Sequence, residues 1–121
     1  MITYLASVHQ IDLHKNGGAT VVAASGELDA FVADDLADVF VRASQDTRVI
    51  VDLEAVSFMD STALGILVRA VRDVDVRNGE IRVVLPTGTA RRIFEITTLD
   101  RVLPVSESVG QALAELAPEA A

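Results

Sequence analysis

The sequence predicts one α/β domain with a mixed, mostly parallel β-sheet and about four α-helices. Short β-branched runs alternate with amphipathic stretches, an Asn-Gly-Gly turn joins the first two runs, and the chain has only 121 residues. Such alternation implies right-handed crossovers and parallel pairing, and a chain of this length suits a single core. The predicted order is β-β-α-β-α-β-α-β-α, over a domain at 1–117 followed by a frayed tail at 118–121.

The first third of the chain predicts a β-hairpin followed by a helix. Residues 7–14 roughly alternate, "NGG" at 16–18 tolerates positive φ, and 19–25 is rich in β-formers, which is typical of a hairpin. The next apolar residues recur at i, i+4, i+7, i+8 and i+11, the spacing of one helix face. They are Val32, Leu36, Val39, Phe40 and Ala43. Asp29 is the predicted N-cap of this helix.

The middle third predicts a buried strand and a long helix. Residues 48–53, "RVIVDL", form a compact run typical of a strand buried on both faces, and 54–60 should connect it to the helix. The apolar residues of the helix share one face. They are Leu64, Leu67, Val68 and Val71. Asn78 and Gly79 should end the helix, because both tolerate the left-handed conformation.

The last third predicts two strands and two helices. The strand at 80–86 closes at Pro86, and Thr87 should cap the third helix. Residues 101–105, "RVLPV", form a short strand that contains proline and therefore suits a sheet edge. Ser106 is the predicted cap of the final helix.

Composition and charge exclude several classes of protein. The chain has no cysteine, which excludes disulfides, thiolate metal sites and thiol catalysis. The net charge of -8 disfavours nucleic-acid binding. No apolar run approaches the roughly 18 to 20 residues of a membrane helix, and the N-terminus lacks the features of a secretory signal. We therefore expect a cytoplasmic protein that binds neither nucleic acid nor membranes.

The stretch "FMDSTALG" concentrates polar side chains at the predicted start of the second helix. Asp60 or Ser61 should occupy the cap, where unsatisfied N–H groups and the positive end of the helix dipole meet solvent. Capping accounts for one polar residue, but the run continues through Thr62. Ala63 and Gly65 should keep bulk away from one face of the first turn. These features predict a surface that a protein partner approaches closely.

Other uses of these residues have weaker support. A serine hydrolase would need a base beside Ser61, but the only histidines are His9 and His14, in or beside the first strand, and the G-x-S-x-G elbow is absent. Neither a P-loop nor a dinucleotide-binding motif occurs. The acidic residues of the first helix lack the histidine or loop geometry that would complete a metal site. A small hydrolase using Ser61 is the most distant alternative.

Phosphorylation of Ser61 would give this surface a binary signal. The phosphate adds a charge of about -1.5 to -2, which a helix N-terminus tolerates. A partner docked over the turn would meet that dianion beside Asp60. Moving an equilibrium from 1:99 to 99:1 needs about 5.5 kcal/mol, and like-charge repulsion with desolvation can supply a penalty of this size.

Three stretches carry a family resemblance: "GELD" at 26–29, "VIVDLEAVSFMDSTALG" at 49–65 and "RNGEIRVVLPTGTARRIFEITTLDRVLPV" at 77–105. The combination D-L-x-x-V-x-F-M-D-S-[ST]-[GA]-L-G in the second stretch is distinctive. The chain resembles the STAS family, specifically the bacterial anti-sigma factor antagonists, and the similarity covers nearly its whole length. The resemblance implies a STAS-like fold.

The resemblance also implies a function and a site. In that family the serine after the aspartate is the phosphoacceptor, which implies phosphorylation at Ser61, with Asp60 beside it and Asp29 near the partner-binding surface. With Thr62 and Ala63, these residues form the expected partner-binding set. The unphosphorylated form would bind an anti-sigma factor that is itself a GHKL-type serine kinase, and so free the sigma factor. A PP2C-type phosphatase would reverse the phosphorylation, and since ATP and Mg belong to the kinase, this chain should need no cofactor and catalyse no reaction.

Two positions depart from the family pattern. Ala63 stands where many relatives have glycine, which should alter how closely a partner packs. Thr98 stands where a helix-ending glycine is common, so the third helix should close by another route. Some STAS proteins are not switched by phosphorylation, and the alternative function is a STAS subunit of a transport or signalling assembly without a sigma-factor partner.

Overall fold

The computed structural model describes residues 2–6, 9–85 and 88–116, and it confirms the predicted α/β fold. The strands within these residues are β1 (Ile2–Ala6), β2 (His9–Asn16), β3 (Ala19–Leu28), β4 (Arg48–Met59), β5 (Glu80–Val84) and β6 (Val105–Ser106). The α-helices are α1 (Ala33–Ala43), α2 (Ser61–Val76), α3 (Thr89–Ile96) and α4 (Val109–Glu115). Two short 3₁₀ turns lie at Ala30–Val32 and Leu99–Arg101. Pro86, Thr87 and the predicted tail at 118–121 lie outside the described residues.

The strands form one sheet in chain order, from β1 to β6. The β1–β2 and β2–β3 pairs are antiparallel, whereas β3–β4, β4–β5 and β5–β6 are parallel. Helices α1, α2 and α3 supply the three crossovers that parallel neighbours require. The prediction of a mixed, mostly parallel sheet is therefore confirmed. Among the described residues, no helix combines the length and apolar character needed to cross a membrane.

Helices cover both faces of the sheet, with a core on each. The larger core includes Leu36 of α1, Leu67 of α2 and Phe94 of α3, all buried against strand residues such as Val51. A smaller core on the other face brings α4 against the sheet, where its members include Ile50. Since Ile50 and Val51 are neighbours in β4 and enter different cores, the prediction of a strand buried on both faces is confirmed.

Strand β1 was not predicted, so the chain begins with three strands rather than two. Its five residues pair with β2 from Ile2↔Leu13 to Ala6↔His9. So short a segment carries too few alternations to establish a period of two on its own. The pairing with β2, which the sequence does not reveal locally, determines its structure.

Strand β4 is longer than predicted, and the expected connection at 54–60 is wrong. The strand continues to Met59 because its parallel pairing with β3 extends to Leu28↔Met59. Two register shifts accompany this extension, because β4 has one extra residue between Asp52 and Ala55 and another between Val56 and Phe58, opposite a continuous β3. Such irregularities break the simple alternation that identifies a strand from sequence.

The final helix starts later than predicted. Ser106 ends β6, where its hydroxyl donates to Glu115 Oε1 at 2.6 Å and accepts from Arg82 Nε at 3.0 Å. Ser108 is the N-cap instead, and its hydroxyl accepts a hydrogen bond from the Gln111 N–H at 3.0 Å. The predicted Ser106 cap is therefore wrong, because that hydroxyl is used by other side chains. The predicted edge position of the last strand is confirmed, but its predicted range of 101–105 is wrong, because the strand covers only Val105–Ser106 and a 3₁₀ turn ends at Arg101.

The ends of α2 and α3 use left-handed residues. Asn78 has a φ of 61°, as predicted, whereas Gly79 is required for space: a Cβ there would lie 2.8 Å from Val74 Cγ1 and 3.1 Å from the Thr47 carbonyl oxygen. Thr98 adopts the left-handed conformation itself, with a φ of 60°. The expectation that α3 closes by another route is wrong, because threonine takes the backbone conformation that glycine takes more readily.

Candidate functional site

The candidate site forms where β3 and β4 end side by side. Leu28 and Met59 are the last register partners of the two strands, and the Asp60 N–H donates to the Leu28 carbonyl oxygen at 3.0 Å. Asp29 and Asp60 follow directly, so the parallel pairing brings the two predicted aspartates to the same edge. The carboxyl ends of neighbouring parallel strands are a common location for binding sites in α/β folds.

Asp60 joins the two connections that leave this edge. It is the N-cap of α2, and its Oδ1 accepts a hydrogen bond from the Ala63 N–H at 3.0 Å. Its Oδ2 accepts a second hydrogen bond from the Ala30 N–H at 3.0 Å. The half-buried carboxylate therefore ties the start of α2 to the turn that follows β3. Of the two predicted cap residues, Asp60 and Ser61, the structure has Asp60 as the cap, and the second bond was not predicted.

Asp29 caps the 3₁₀ turn that leads into α1. Its Oδ1 accepts from the Phe31 N–H at 2.9 Å, and its carbonyl oxygen accepts from the Val32 N–H at 3.1 Å. The prediction of Asp29 as a cap is confirmed at this turn, although α1 itself begins at Ala33 with Val32 in the N-cap position. The turn is therefore fixed by short local hydrogen bonds.

Ser61 and Thr62 are exposed at the head of α2. Asp60 supplies the cap through Ala63, and its carbonyl oxygen accepts from the Leu64 N–H at 3.0 Å. Neither hydroxyl makes a side-chain hydrogen bond within the part of the chain that the structure describes. The Ser61 hydroxyl is thus not required for helix capping and faces solvent.

Ala63, which was expected to belong to the partner-binding surface, is fully buried, with 0% of its surface exposed. It lies on the face of α2 that packs into the larger core. Its methyl group therefore cannot contact a docked partner, and the expectation that it alters partner packing is wrong. Gly65 is exposed, and a Cβ added there would meet nothing within 4 Å, so an open surface remains on that side of the first turn.

Two exposed aromatic residues beside the site were not predicted. Phe31 is 97% exposed in the turn that Asp29 caps, and Phe58 is 46% exposed two residues before Asp60. The sequence carried a weak signal for Phe31, because the helical stripe begins at Val32 and leaves the preceding phenylalanine outside it. Exposure of Phe58 could not be inferred without knowing that β4 continues to Met59.

The site is acidic. Residues 26–41 and 54–68 form the ends of β3 and β4 and the starts of α1 and α2, and they contain no lysine, arginine or histidine. Their carboxylates are Glu27, Asp29, Asp34, Asp35, Asp38, Glu54 and Asp60. A negative potential at this edge attracts cationic groups and repels anions.

The arrangement gives no support to nucleophilic catalysis or metal binding. His9 lies in β2 and pairs with Gly26 of β3, so β3 separates the His9 backbone from β4, the strand that leads to Ser61. Two strand spacings correspond to a gap of about 10 Å. The described residues contain no group of three or more metal-ligating side chains that could hold an ion.

The fold and site define a small α/β domain with an exposed acidic edge that carries a free hydroxyl. The model of the STAS domain family matches residues 10–112, and the chain belongs to this family.

Relatives and solved structures agree with this assignment. The chain is 36% identical over 88 residues to an anti-sigma-B factor antagonist of Staphylococcus aureus, covering 71% of this chain and 82% of that protein. It is 26% identical over 110 residues to an anti-sigma F factor antagonist of Paenibacillus polymyxa, covering 88% and 94% of the two chains. The crystal structure of an anti-sigma factor antagonist from Mycobacterium paratuberculosis is similar with a TM-score of 0.80 at 27% identity, covering 89% of this chain and 93% of that chain.

Proposed function

We propose that this chain is an anti-sigma factor antagonist that acts as a binding module and catalyses no reaction itself. In its unphosphorylated form it binds a cognate anti-sigma factor, a GHKL-type serine kinase, and so releases the sigma factor. Phosphorylation at Ser61 by that kinase ends the interaction, and a PP2C-type phosphatase restores it. The names of its relatives support the role. The observation that carries the switch is an exposed Ser61 beside an aspartate that already caps the helix.

The module can accept a phosphate at Ser61 without unfolding. Asp60 retains the capping bond to Ala63, so the hydroxyl is not needed to hold α2. A phosphate at the first position of a 16-residue helix lies at the positive end of its dipole. The Ser61 and Thr62 N–H groups have no acceptor among the described residues and can donate to phosphate oxygens. The penalty of modification therefore falls on the complex rather than on the fold.

The bound partner would sense the phosphate through charge. Asp60 lies next to Ser61, so a dianion there concentrates negative charge on an edge whose segments 26–41 and 54–68 contain no basic residue. A partner seated over the edge would have to desolvate that charge, and like charges placed together in an interface cost several kcal/mol. A change of about 5.5 kcal/mol converts a mostly bound population into a mostly free one.

Phosphorylation of the full chain tests this proposal directly. In this experiment each purified GHKL-type kinase of the host is incubated with the chain, ATP and Mg. Intact-mass measurement and peptide mapping then locate any added phosphate. The cognate kinase should add one phosphate to the peptide that contains Ser61. Ser61→Ala should abolish it, and Thr62→Ala, which changes the neighbouring exposed hydroxyl, should retain it. Phosphate on another residue, or none with any such kinase, contradicts the switch.

Binding then separates this function from the alternative. An unphosphorylated chain that captures the cognate kinase and releases its sigma factor supports the antagonist role. A chain that instead copurifies from the host with components of a membrane transporter, and binds no such kinase, supports the STAS subunit of a transport assembly. Ester hydrolysis that disappears in Ser61→Ala would favour the hydrolase.

A further inference from the structure

The turn at residues 29–32, called here the Phe31 turn, projects an aromatic ring from the acidic edge. Phe31 is 97% exposed, whereas Val32, the next residue, is only 3% exposed and packs into the larger core. Single exposed apolar residues are common on protein surfaces. Phe31 differs because its backbone is fixed and its position adjoins the residues around Ser61.

Hydrogen bonds hold the Phe31 turn from both sides. The Phe31 N–H donates to Asp29 Oδ1 at 2.9 Å, and the Ala30 N–H donates to Asp60 Oδ2 at 3.0 Å. Val32 anchors the end of the turn in the core. A pre-ordered aromatic side chain with two rotatable bonds loses little conformational entropy when a partner covers it. Such residues are frequent among those that dominate interface energetics.

The same carboxylate links Phe31 to Ser61. Asp60 accepts from the Ala30 N–H in the Phe31 turn and from the Ala63 N–H in the first turn of α2, so one residue joins the turn that carries Phe31 to the turn that carries Ser61. Phe58, 46% exposed, lies two residues before Asp60 at the end of β4. A partner that covers Ser61 closely enough to sense a phosphate therefore also reaches Phe31.

The charge around the ring indicates what kind of surface receives it. Residues 26–41 carry five carboxylates and no basic side chain, although Asp38 forms an ion pair with Arg42 of the same helix at 3.4 Å. A second copy of this chain would bring one acidic edge against another, because a two-fold interface uses the same patch on both subunits. A protein surface with cationic groups around an apolar pocket complements both features.

We propose that Phe31 is the apolar anchor of the partner interface, inserting into a pocket of the anti-sigma factor that is rimmed by arginine or lysine side chains. This inference rests on the proposed function, because it assigns the partner to the same edge as Ser61. Phe31 supplies affinity through burial of its ring, and the surrounding carboxylates supply orientation and association rate. Ser61 then controls a contact that Phe31 anchors.

Calorimetric titration of the full chain into its purified kinase, with a non-hydrolysable ATP analogue, tests the anchor. Phe31→Ala should weaken binding at least tenfold, and Phe31→Leu should recover part of the loss. Val76→Ala is the matched control: Val76 is 77% exposed at the last position of α2, about 22 Å along the helix from Ser61. It should change affinity less than twofold. Melting temperatures of all three variants should match the wild type, since surface substitutions of this kind have small effects on stability.

The dependence of affinity on ionic strength distinguishes the contribution of the Phe31 ring from that of the surrounding carboxylates. Wild-type affinity should fall as salt rises, because exposed charges are screened, but the fold-loss caused by Phe31→Ala should stay constant. Glu27→Gln, which removes an exposed charge near the turn, should slow association and reduce the salt dependence. A Phe31→Ala loss that vanishes at high salt would overturn the anchor, because it would then act through charge.

The outcomes distinguish this inference from the proposed function. If the kinase binds wild type and rejects Ser61→Asp, yet loses less than tenfold affinity for Phe31→Ala, the anchor is wrong and the proposed function stands. If no host anti-sigma factor binds wild type, both fail. Sedimentation that shows a wild-type dimer dissociated by Phe31→Ala would assign the ring to a second copy of this chain and also overturn the anchor.

Discussion

The carboxylates at the two ends of the β3–β4 pair have different kinds of partner. At the carboxyl end, Asp29 and Asp60 accept hydrogen bonds from backbone N–H groups, on an edge whose segments contain no basic residue. At the amino end, Asp46 forms an ion pair with Lys15 at 2.9 Å and accepts a hydrogen bond from the Thr20 hydroxyl. Backbone donors fix the position of a carboxylate without cancelling its charge, whereas a lysine does both.

This difference assigns different roles to the two ends. The Lys15–Thr20–Asp46 cluster joins the β2–β3 hairpin to the loop before β4, so its charges are balanced within the chain. The carboxyl end keeps its negative charge and places Phe31 in solvent. An edge where backbone N–H groups hold Asp29 and Asp60 beside an exposed aromatic ring suits a partner, whereas the ion-paired cluster stabilises the domain.

Ser61→Asp, at the carboxyl end of the β3–β4 pair, should have the largest effect, which is on kinase affinity. A permanent charge beside Asp60 should weaken kinase binding by more than about 100-fold, or about 3 kcal/mol, through repulsion and desolvation in the interface. Unfolding stability should stay unchanged or rise by about 0.3–1 kcal/mol, because an acidic residue suits the first turn of a helix. Calorimetric titration and urea unfolding measure the two effects.

Val76→Asp is the control for Ser61→Asp. It introduces the same charge at an exposed position of the same helix, far from the carboxyl edge, and should leave affinity close to that of the wild type. Equal losses from both variants would show that net charge alone governs binding. Tight binding of Ser61→Asp would remove the basis for a phosphorylation switch.

Asp60→Ala should have an intermediate effect, on stability. It removes the cap of α2 and the bond to the Phe31 turn, which together should cost about 2 kcal/mol of unfolding free energy. Asp60→Asn has one acceptor oxygen in place of two, so it should retain one bond and lose about 1 kcal/mol. Asp73→Asn, an exposed change on α2, is the control. Urea unfolding that gives Asp60→Ala the same stability as the control would show that the hydrogen bonds from backbone N–H groups to Asp60 do not stabilise the carboxyl end of the strand pair.

The sequence predicts much of this architecture because its strongest signals are local. The apolar faces of α1 and α2 follow from helical spacing, and a cap at Asp60 or Ser61 follows from residue type at a helix start. The adjacency of Asp29 and Asp60 followed from a family resemblance, and the structure explains it through the register Leu28↔Met59. Local periodicity and short-range capping are therefore sufficient for the element order and part of the site.

The features that the sequence did not predict depend on pairing across distance. The extension of β4 to Met59 follows its register with β3, and the bond from Ala30 to Asp60 joins residues 30 positions apart. Burial of Ala63 depends on the rotation of α2 against the sheet, which capping alone does not fix. The exposure of Phe31 follows from how its turn is held. None of these has a period or motif that a single segment reveals.

Asp46→Asn should have the smallest effect on stability, and it tests the amino end of the strand pair, where Asp46 is paired with Lys15. The hydrogen bond from Thr20 is the main cause that lowers the pKa of Asp46 below its ordinary value of 3.8, with a further contribution from Lys15, while partial burial opposes both. A lowered folded-state pKa means that the stabilisation is fully present above the unfolded value and is lost as pH falls through the folded value. Asp46→Asn should therefore cost about 0.5–1 kcal/mol at neutral pH, as expected for a partly exposed pair, and the difference from wild type should shrink below about pH 4.

Titration of the Asp46 carboxyl by NMR separates its two partners. Thr20→Val removes the hydroxyl at a position that is 3% exposed and keeps a similar shape, so it should raise the pKa of Asp46 more than Lys15→Met does. The Asp60 variants should leave this titration unchanged, because the two carboxylates lie at opposite ends of the strand pair. A stability difference between wild type and Asp46→Asn that persists unchanged down to pH 2 would mean that charge pairing does not stabilise the amino end. The contrast between an ion-paired amino end and a carboxyl end held by backbone N–H groups would then lose its electrostatic basis.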